Sequence, residues 1–431
     1  MTKKGNSNII AIIAMIFLFG MISFVTNLAA PIGNIWKMQP GIAGSNFWGM
    51  MGNMMNFLAY AIMGIPAGKM LTKYGYKKTA LIAIAVGFLG VFIQFLSGIV
   101  GVGSTLAGLP SNFFVYLCGA FVAGFSMCML NTVVNPMLKL LGGARSNQYI
   151  QIGGSFNSLM GTLTPMLVGA LIGTLTKDTL ITDVNPVLFL AMGVFAFAFI
   201  VLLFVNIQDP EAVKDSSNAV SPMKFKHFVL GVIAIFVYVG VEVGIPGTLN
   251  FYLSDPNGAG MDPSTAVTIA GFVAGTYWFL MLIGRLTSSV ISGKVSARTQ
   301  LTCVSAVALI LIVLAIVLGN SSNVSMPVFK GVQEGFGMVQ VPIAALLLVL
   351  CGLCTSVMWG TIFDLACEGL GASTNQASGI FMAMVVGGGI IPLVQNAIAD
   401  GIGYMPSYWL LAACVAFILY FAVVGSKVKK A

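Results

Sequence analysis

Met129-Leu130-Asn131-Thr132-Val133-Val134-Asn135-Pro136, followed after a short polar break by Gln151-Ile152-Gly153-Gly154-Ser155-Phe156-Asn157, decides how this chain must fold. The eighteen residues before Asn131, Phe113 to Leu130, carry no charge and, besides Tyr116, one hydroxyl, Ser126. A run of that length and polarity has the makings of a membrane-spanning helix. Two asparagines and a proline at its end are costly in hydrocarbon unless they face other helices or a wet cavity. The next apolar segment opens on two more amides, Gln151 and Asn157. Adjacent helices thus bring uncharged hydrogen-bonding groups to similar depth. Such a surface suits a polyhydroxylated solute, although amides in membrane helices also cross-link helices.

The stretch has an echo. Leu141 to Gln148 recurs as Leu370 to Gln376, and Pro165 to Gly173 recurs as Pro392 to Gly401, at an offset of about 228 residues. A duplicated half predicts two like bundles with a solute site between them near the midplane.

Composition limits the alternatives. Of 431 residues, 58% are hydrophobic and only 7% charged, more apolar surface than a water-soluble domain of this length can hide. The net charge of +8 is scattered over short loops, which argues against a nucleic-acid partner. Seven cysteines lie in or beside apolar spans and predict no extracellular disulfide framework. Cys351 and Cys354 form a CxxC inside an apolar helix, where small-residue packing is the simpler reading. Met1-Thr2-Lys3-Lys4 precedes an apolar run too long for a signal peptide, so that run is the first span.

Hydropathy predicts twelve spans. The first six are Ile9–Ile35, Asn46–Gly68, Thr79–Val102, Phe113–Leu141, Ile150–Leu175 and Pro186–Val205. The second six are Phe225–Tyr252, Thr265–Ile291, Leu301–Leu318, Val339–Phe363, Gln376–Ala399 and Met405–Val424. With the N-terminus inside, Lys37, Lys177 and Lys330 fall outside and the other seventeen Lys and Arg inside, so both termini read as cytoplasmic. The expected domains are a six-helix bundle over 1–206, a cytoplasmic linker over 207–224, and a second bundle over 225–431. The outer loop from Gly319 to Gly337 is expected to carry a short surface helix or to be flexible.

The loop from Gly68 to Lys78, GKMLTKYGYKK, resembles the major facilitator signature G-x-x-x-D-R-x-G-x-K/R-K/R. Thr72 stands where the acid is usual and Lys73 where the Arg is usual. Gly68 would allow close helix contact and Gly75 the tight turn, with Lys73 and Lys77 in water. Gly284-Arg285 occupies the matching end of span eight, so Arg285 joins this candidate gating set.

Further segments resemble one branch of that superfamily, the fucose permease and glucose/galactose transporter family. They are Asn131 to Pro136, Phe156 to Leu159, Tyr238 to Val243, Tyr277-Trp278 ahead of Gly284-Arg285, Thr361 to Phe363, and Gly388 to Gln395. The likeness covers nearly the whole chain. It implies the all-α major facilitator fold, with twelve membrane helices in two pseudo-symmetric six-helix bundles. It also implies alternating access and uptake of a small neutral sugar, often driven by a cation gradient, without identifying the sugar. A hexose or deoxyhexose such as glucose, galactose or fucose is expected, with H+ and Na+ as the candidate coupling ions. Carried over by position, Asn135, Asn157, Glu242, Asn250, Trp278 and Gln395 match polar or aromatic family positions. Gly154 departs from a frequent amide, and Asn396 from a usual small residue. Proton-coupled relatives have carboxylates in spans one and four, where this chain has Asn27 and Asn131.

Sugars are neutral rings with many hydroxyls and apolar faces, so a selective site wants amides and an aromatic plate. Asn27, Asn131, Asn135, Gln151, Asn157, Asn250, Gln395 and Asn396 are the candidate amides, with Asn53 and Asn56 as further ones. Trp278 is the best candidate plate, since Trp36 and Trp409 fall near interfaces, where Trp anchors helices, and Trp48 and Trp359 stay open beside it. Glu242 is the one acid well inside a span, which makes it the candidate for cation coupling. A structural hydrogen bond is the alternative for it. No nucleophile–base set, phosphate loop or metal cluster is present, so no enzyme chemistry, cofactor or metal is expected, and the chain reads as a monomer. An uncoupled facilitator and an efflux carrier remain open beside the symporter, as do, in a different class, a membrane enzyme or a sensor.

Overall fold

A computed structural model of the protein describes residues 3–42, 44–142, 146–172, 179–205, 221–291, 295–329, 335–370 and 374–428. Most of the linker, Lys177, Lys330 and the Gln151 side chain lie outside the described residues. The first half comprises α1 (Lys3–Thr26), α2 (Ala29–Met38), α3 (Asn46–Leu96), α4 (Ser111–Gly142), α5 (Ser146–Ile172) and α6 (Asn185–Phe204). The second comprises α7 (Lys226–Ser254), α8 (Ala266–Ile291), α9 (Ala297–Leu318), α10 (Ile343–Cys367), α11 (Thr374–Met384), α12 (Gly387–Ile402) and α13 (Tyr404–Tyr420). Eleven helices among the described residues are long and apolar enough to cross a membrane. The Asn46 arm of α3 supplies the remaining span.

Within the first half α4 packs on α1, α3 and α5; within the second α10 packs on α7, α8 and α9. The halves meet where α5 lies on α8, where α3 lies on α11 and α12, and where α2 meets α7. Large apolar side chains such as Phe197, Phe204 and Val317 point outward, where hydrocarbon takes the place of a protein core.

The structure departs from the expected spans at proline and glycine. Spans two and three form one helix bent at Gly75, whose φ of 78° is the left-handed turn expected there. Span one is two helices, because Pro31 has no N–H to give the Asn27 carbonyl. Span eleven breaks at Val385-Val386, before Gly387-Gly388-Gly389 and Pro392. Pro392 cannot donate to the Gly388 carbonyl, and Asn53 of α3 fills the vacancy at 2.8 Å.

The loop between α9 and α10 is neither helical nor irregular over its described part. It is an antiparallel hairpin of β3 (Asn323–Phe329) and β4 (Phe336–Pro342), with Asn323 opposite Pro342 and Phe329 opposite Phe336. Span ten therefore begins at Ile343 rather than Val339. A shorter hairpin, β1 (Thr105–Leu106) with β2 (Leu109–Pro110), occupies the corresponding loop of the first half.

Trp36 is no interfacial anchor. It is fully buried, its ring 4.9 Å from Phe113 and 5.2 Å from Tyr116. Gly68 likewise makes no close helix contact, as nothing lies within 4 Å of a Cβ placed there.

Candidate functional site

Between the halves lies a cavity lined by Thr26, Asn27 and Asn53 of the first half and by Asn250 and Trp278 of the second. Counting the solvent space open at its mouth, about 450 Å³ there is free of protein atoms. Three prolines, Pro31, Pro165 and Pro246, also line it. Each leaves the carbonyl four residues earlier without its helical donor. Trp278 stands edge-on to Tyr277, ring centroids 5.6 Å apart, and Tyr277 is held by a 2.8 Å hydrogen bond to Thr355. The indole also lies near Gly161, where an added Cβ would come within 3.1 Å of the ring. Chemically this is a neutral box: amides that donate and accept, an aromatic plate, and no formal charge among the lining residues.

One end of the cavity is sealed by a polar network between the halves. Asn34 donates to the Asn250 side chain at 2.6 Å and to Ser254 at 3.2 Å. Buried Lys37 donates to Asn46 at 2.5 Å and to the Tyr404 hydroxyl at 3.1 Å, with Asp255 4.0 Å away. Its ammonium also lies 4.6 Å over the Phe251 ring. The Tyr404 hydroxyl reaches Asp255 at 2.7 Å. Beside this group Asp400 of α12 accepts from Ser45 Oγ at 2.7 Å, from Asn46 N at 2.7 Å and from Phe47 N at 3.0 Å. The second half thus caps the N-terminus of α3 with a carboxylate, where the helix dipole favours negative charge.

Toward the opposite end, Glu242 is not a lone acid. Its Oε1 accepts from Tyr238 at 2.8 Å and lies 3.5 Å from Arg285 Nη2. Arg285 was expected in the gating loop. Helix α8 runs to Ile291, where span eight was expected to end, and Arg285 on it lies inside the bundle against Glu242. In the loop itself Lys77 donates to the Leu203 carbonyl at 2.8 Å, and Lys73 sits 5.1 Å from the Tyr74 ring.

The candidate amides divide into groups. Asn27, Asn250 and Trp278 share the cavity. Asn131, Asn135, Asn157, Gln395 and Asn396 do not line it. Asn131 donates to the Tyr60 hydroxyl at 2.8 Å, Asn157 to the Phe19 carbonyl at 2.8 Å, and Asn396 to Thr248 at 2.9 Å. Asn135 makes a long contact, 3.5 Å, back to the Asn131 carbonyl. Gln395 is fully buried against Gly244, and neither end of its amide has a partner among the described residues.

Sequence reasoning missed Asn34, Lys37, Asp255, Asp400 and Tyr404. A signal was available: one lysine and two aspartates fall at the same end of spans one, seven and eleven. The cavity prolines were visible too, one in each of spans one, five and seven.

Known proteins share this architecture. A glucose/galactose transporter of Brucella abortus is 28% identical over 424 residues, 96% of this chain and 92% of that protein. An L-fucose-proton symporter of Escherichia coli is 22% identical over 438 residues, 95% of this chain and 91% of that protein. Among solved structures, the E. coli fucose:proton symporter aligns at a TM-score of 0.65 with 18% identity, covering 96% of this chain and 98% of that one. The xylose transporter of E. coli in its inward-open conformation gives 0.68 at 12% identity, over 98% of this chain and 97% of that one. Residues 10–392 match the family description itself, and the chain belongs to the Major Facilitator Superfamily of membrane transporters.

Proposed function

We propose that this protein imports a small neutral sugar, a hexose or deoxyhexose, by alternating access between bundles 1–206 and 225–431, with uptake driven by H+ or Na+. The observation that carries this reading is the uncharged cavity, in which both halves set amides around the Trp278 indole. A charged substrate would find no counter-charge among the lining residues, whereas a sugar can stack one face on the indole and share its hydroxyls among Asn27, Asn53 and Asn250. The name of the Brucella relative supports the same class of substrate. By the positive-inside rule the Lys37 end faces outward and the protein lies in the cell's inner membrane with both termini cytoplasmic.

Uptake of a radiolabelled sugar panel by cells lacking their own carriers is the test. Saturable uptake of one hexose or deoxyhexose is expected, and no uptake of any neutral sugar sinks the reading. Trp278→Ala removes the plate and is expected to raise the apparent KM about tenfold, at the upper end of what one aromatic contact contributes. An unchanged KM would move the sugar away from the indole.

Gln395 gives a sharper test of a second contact. A buried amide without partners costs about 1–3 kcal/mol. Gln395→Leu, similar in size, should therefore leave thermal stability unchanged or higher. If Gln395 meets sugar hydroxyls during the cycle, the same variant loses affinity by about tenfold. Parent-like affinity would assign Gln395 to packing.

A further inference from the structure

Arg285 lies seven residues beyond Trp278 on α8, and Gly154 seven residues before Gly161 on α5. Seven residues are two helical turns, about 10 Å along the axis. The Gly161–Trp278 contact at the cavity is thus followed, on the same faces of both helices, by a Gly154–Arg285 contact. There Arg285 Nη1 donates to the Gly154 carbonyl at 2.9 Å, across the boundary between the halves. Its Nη2 faces Glu242. One guanidinium therefore holds a carboxylate of its own half and the backbone of the other.

The rest of the α5–α8 contact is built differently. Gly271 and Gly275 lie against the carbonyls of Pro165 and Thr162, and Thr268 Oγ1 donates to the Gly169 carbonyl at 3.2 Å. That part is close backbone packing. At the Arg285 end the tie is a long charged side chain. A Cβ added to Gly154 would sit 3.6 Å from Nη1, which is ordinary contact, so a longer side chain there competes with the guanidinium for the same space. The missing side chain is the seat.

We infer that Gly154 seats Arg285 as the resident counter-ion of Glu242, so that the charge on Glu242 governs the tie between α5 and α8. This rests on the coupling role proposed for Glu242. With the carboxylate charged, the guanidinium is compensated in a layer where both side chains are mostly buried, 18% and 14% exposed. When H+ or Na+ neutralises Glu242, Arg285 is left unpaired, which is costly away from water. Hydration relieves that cost, and hydration requires α5 to part from α8 at this end. The other titratable groups around Glu242 are Tyr238 on its own helix, Tyr277 on α8, and Cys351 and Cys354 on α10 behind Tyr277. From α12 and α13 come neutral Gln395 and Tyr408, the latter bonded to the Ile245 carbonyl. Lys37 faces Asp255 at the far end of α7.

The test is hydrogen–deuterium exchange on the purified full-length protein, read in peptides spanning 152–160 of α5 and 279–287 of α8. Glu242→Gln, Arg285→Gln and Gly154→Asn are each expected to speed exchange there about tenfold, the size of one charge-assisted hydrogen bond. Gly154→Ala should match the parent. The double variant Glu242→Gln/Arg285→Gln should show no more than either single change, because one tie cannot be lost twice. Additive effects in the double variant, or unchanged exchange in Gly154→Asn, overturn the proposal, and Gly154→Asn still tests it if Arg285→Gln fails to fold. Sugar uptake by the parent is measured separately. A parent that carries no sugar refutes the transport reading, while the exchange pattern still decides whether the tie exists.

Discussion

Glu242→Gln is expected to abolish gradient-driven sugar accumulation, by at least about tenfold, while sugar counterflow persists. The substitution keeps the shape of the side chain and an oxygen that accepts from Tyr238, now at 2.8 Å, but removes the charge. Counterflow needs only a carrier that binds sugar and reorients. Accumulation also needs a group that gains and loses a cation in each cycle. The two positions that resemble the carboxylate sites of proton-coupled relatives hold amides here, Asn27 bonded to Ser23 and Asn131 to Tyr60. Amides do not titrate in the working range. Of the candidate positions, Glu242 is therefore the one proposed to carry the coupling. Proteoliposomes under an imposed pH gradient, then a Na+ gradient, then neither, identify the ion. If the variant concentrates sugar like the parent, the role assigned to Glu242 is wrong.

Asp400→Asn should open the Lys37 end. The carboxylate accepts three hydrogen bonds at the start of α3, two of them from backbone N–H groups of the opposite half. Loss of the charge at a helix N-terminus, and of one acceptor oxygen, is worth on the order of 2 kcal/mol, or about thirtyfold in the balance between sealed and open forms. These hydrogen bonds join one half to the other, so the cost of weakening them falls on the sealed form. A cysteine in place of Ala30, which lines the cavity, reports this directly. Its alkylation by a membrane-impermeant thiol reagent applied from the Lys37 side should accelerate in the Asp400→Asn background. An unchanged rate would show that the seal does not depend on Asp400.

The spans were legible because lipid imposes length and polarity on any helix that crosses it, and the bend at Gly75 because only glycine adopts that turn freely. The hairpin was not. Phe336 to Pro342 is apolar enough to pass for the start of span ten, and its alternating burial is visible only once β3 lies beside it. The seal escaped for another reason. Each member taken alone reads as an ordinary residue at a membrane surface, and the partners are far apart in sequence, 216 residues for Asn34 with Asn250 and 367 for Lys37 with Tyr404. Arg285 was singled out from its Gly-Arg pair alone, and its ion pair with Glu242 joins α8 to α7, which that motif does not connect. For the amides, composition announced a polar interior without saying which groups would spend their hydrogen bonds on neighbours. Asn131, Asn157 and Asn396 do so.

The prolines around the cavity bear on how such a carrier can be read and altered. Pro31, Pro165 and Pro246 strip the donor from the carbonyls of Asn27, Gly161 and Glu242. Those acceptors belong to the main chain, so an alanine scan passes over them and an alignment of side chains cannot mark them. Two carriers of this kind can diverge at many cavity side chains and still leave the same three carbonyls without a helical donor, provided three imino acids stay where they are.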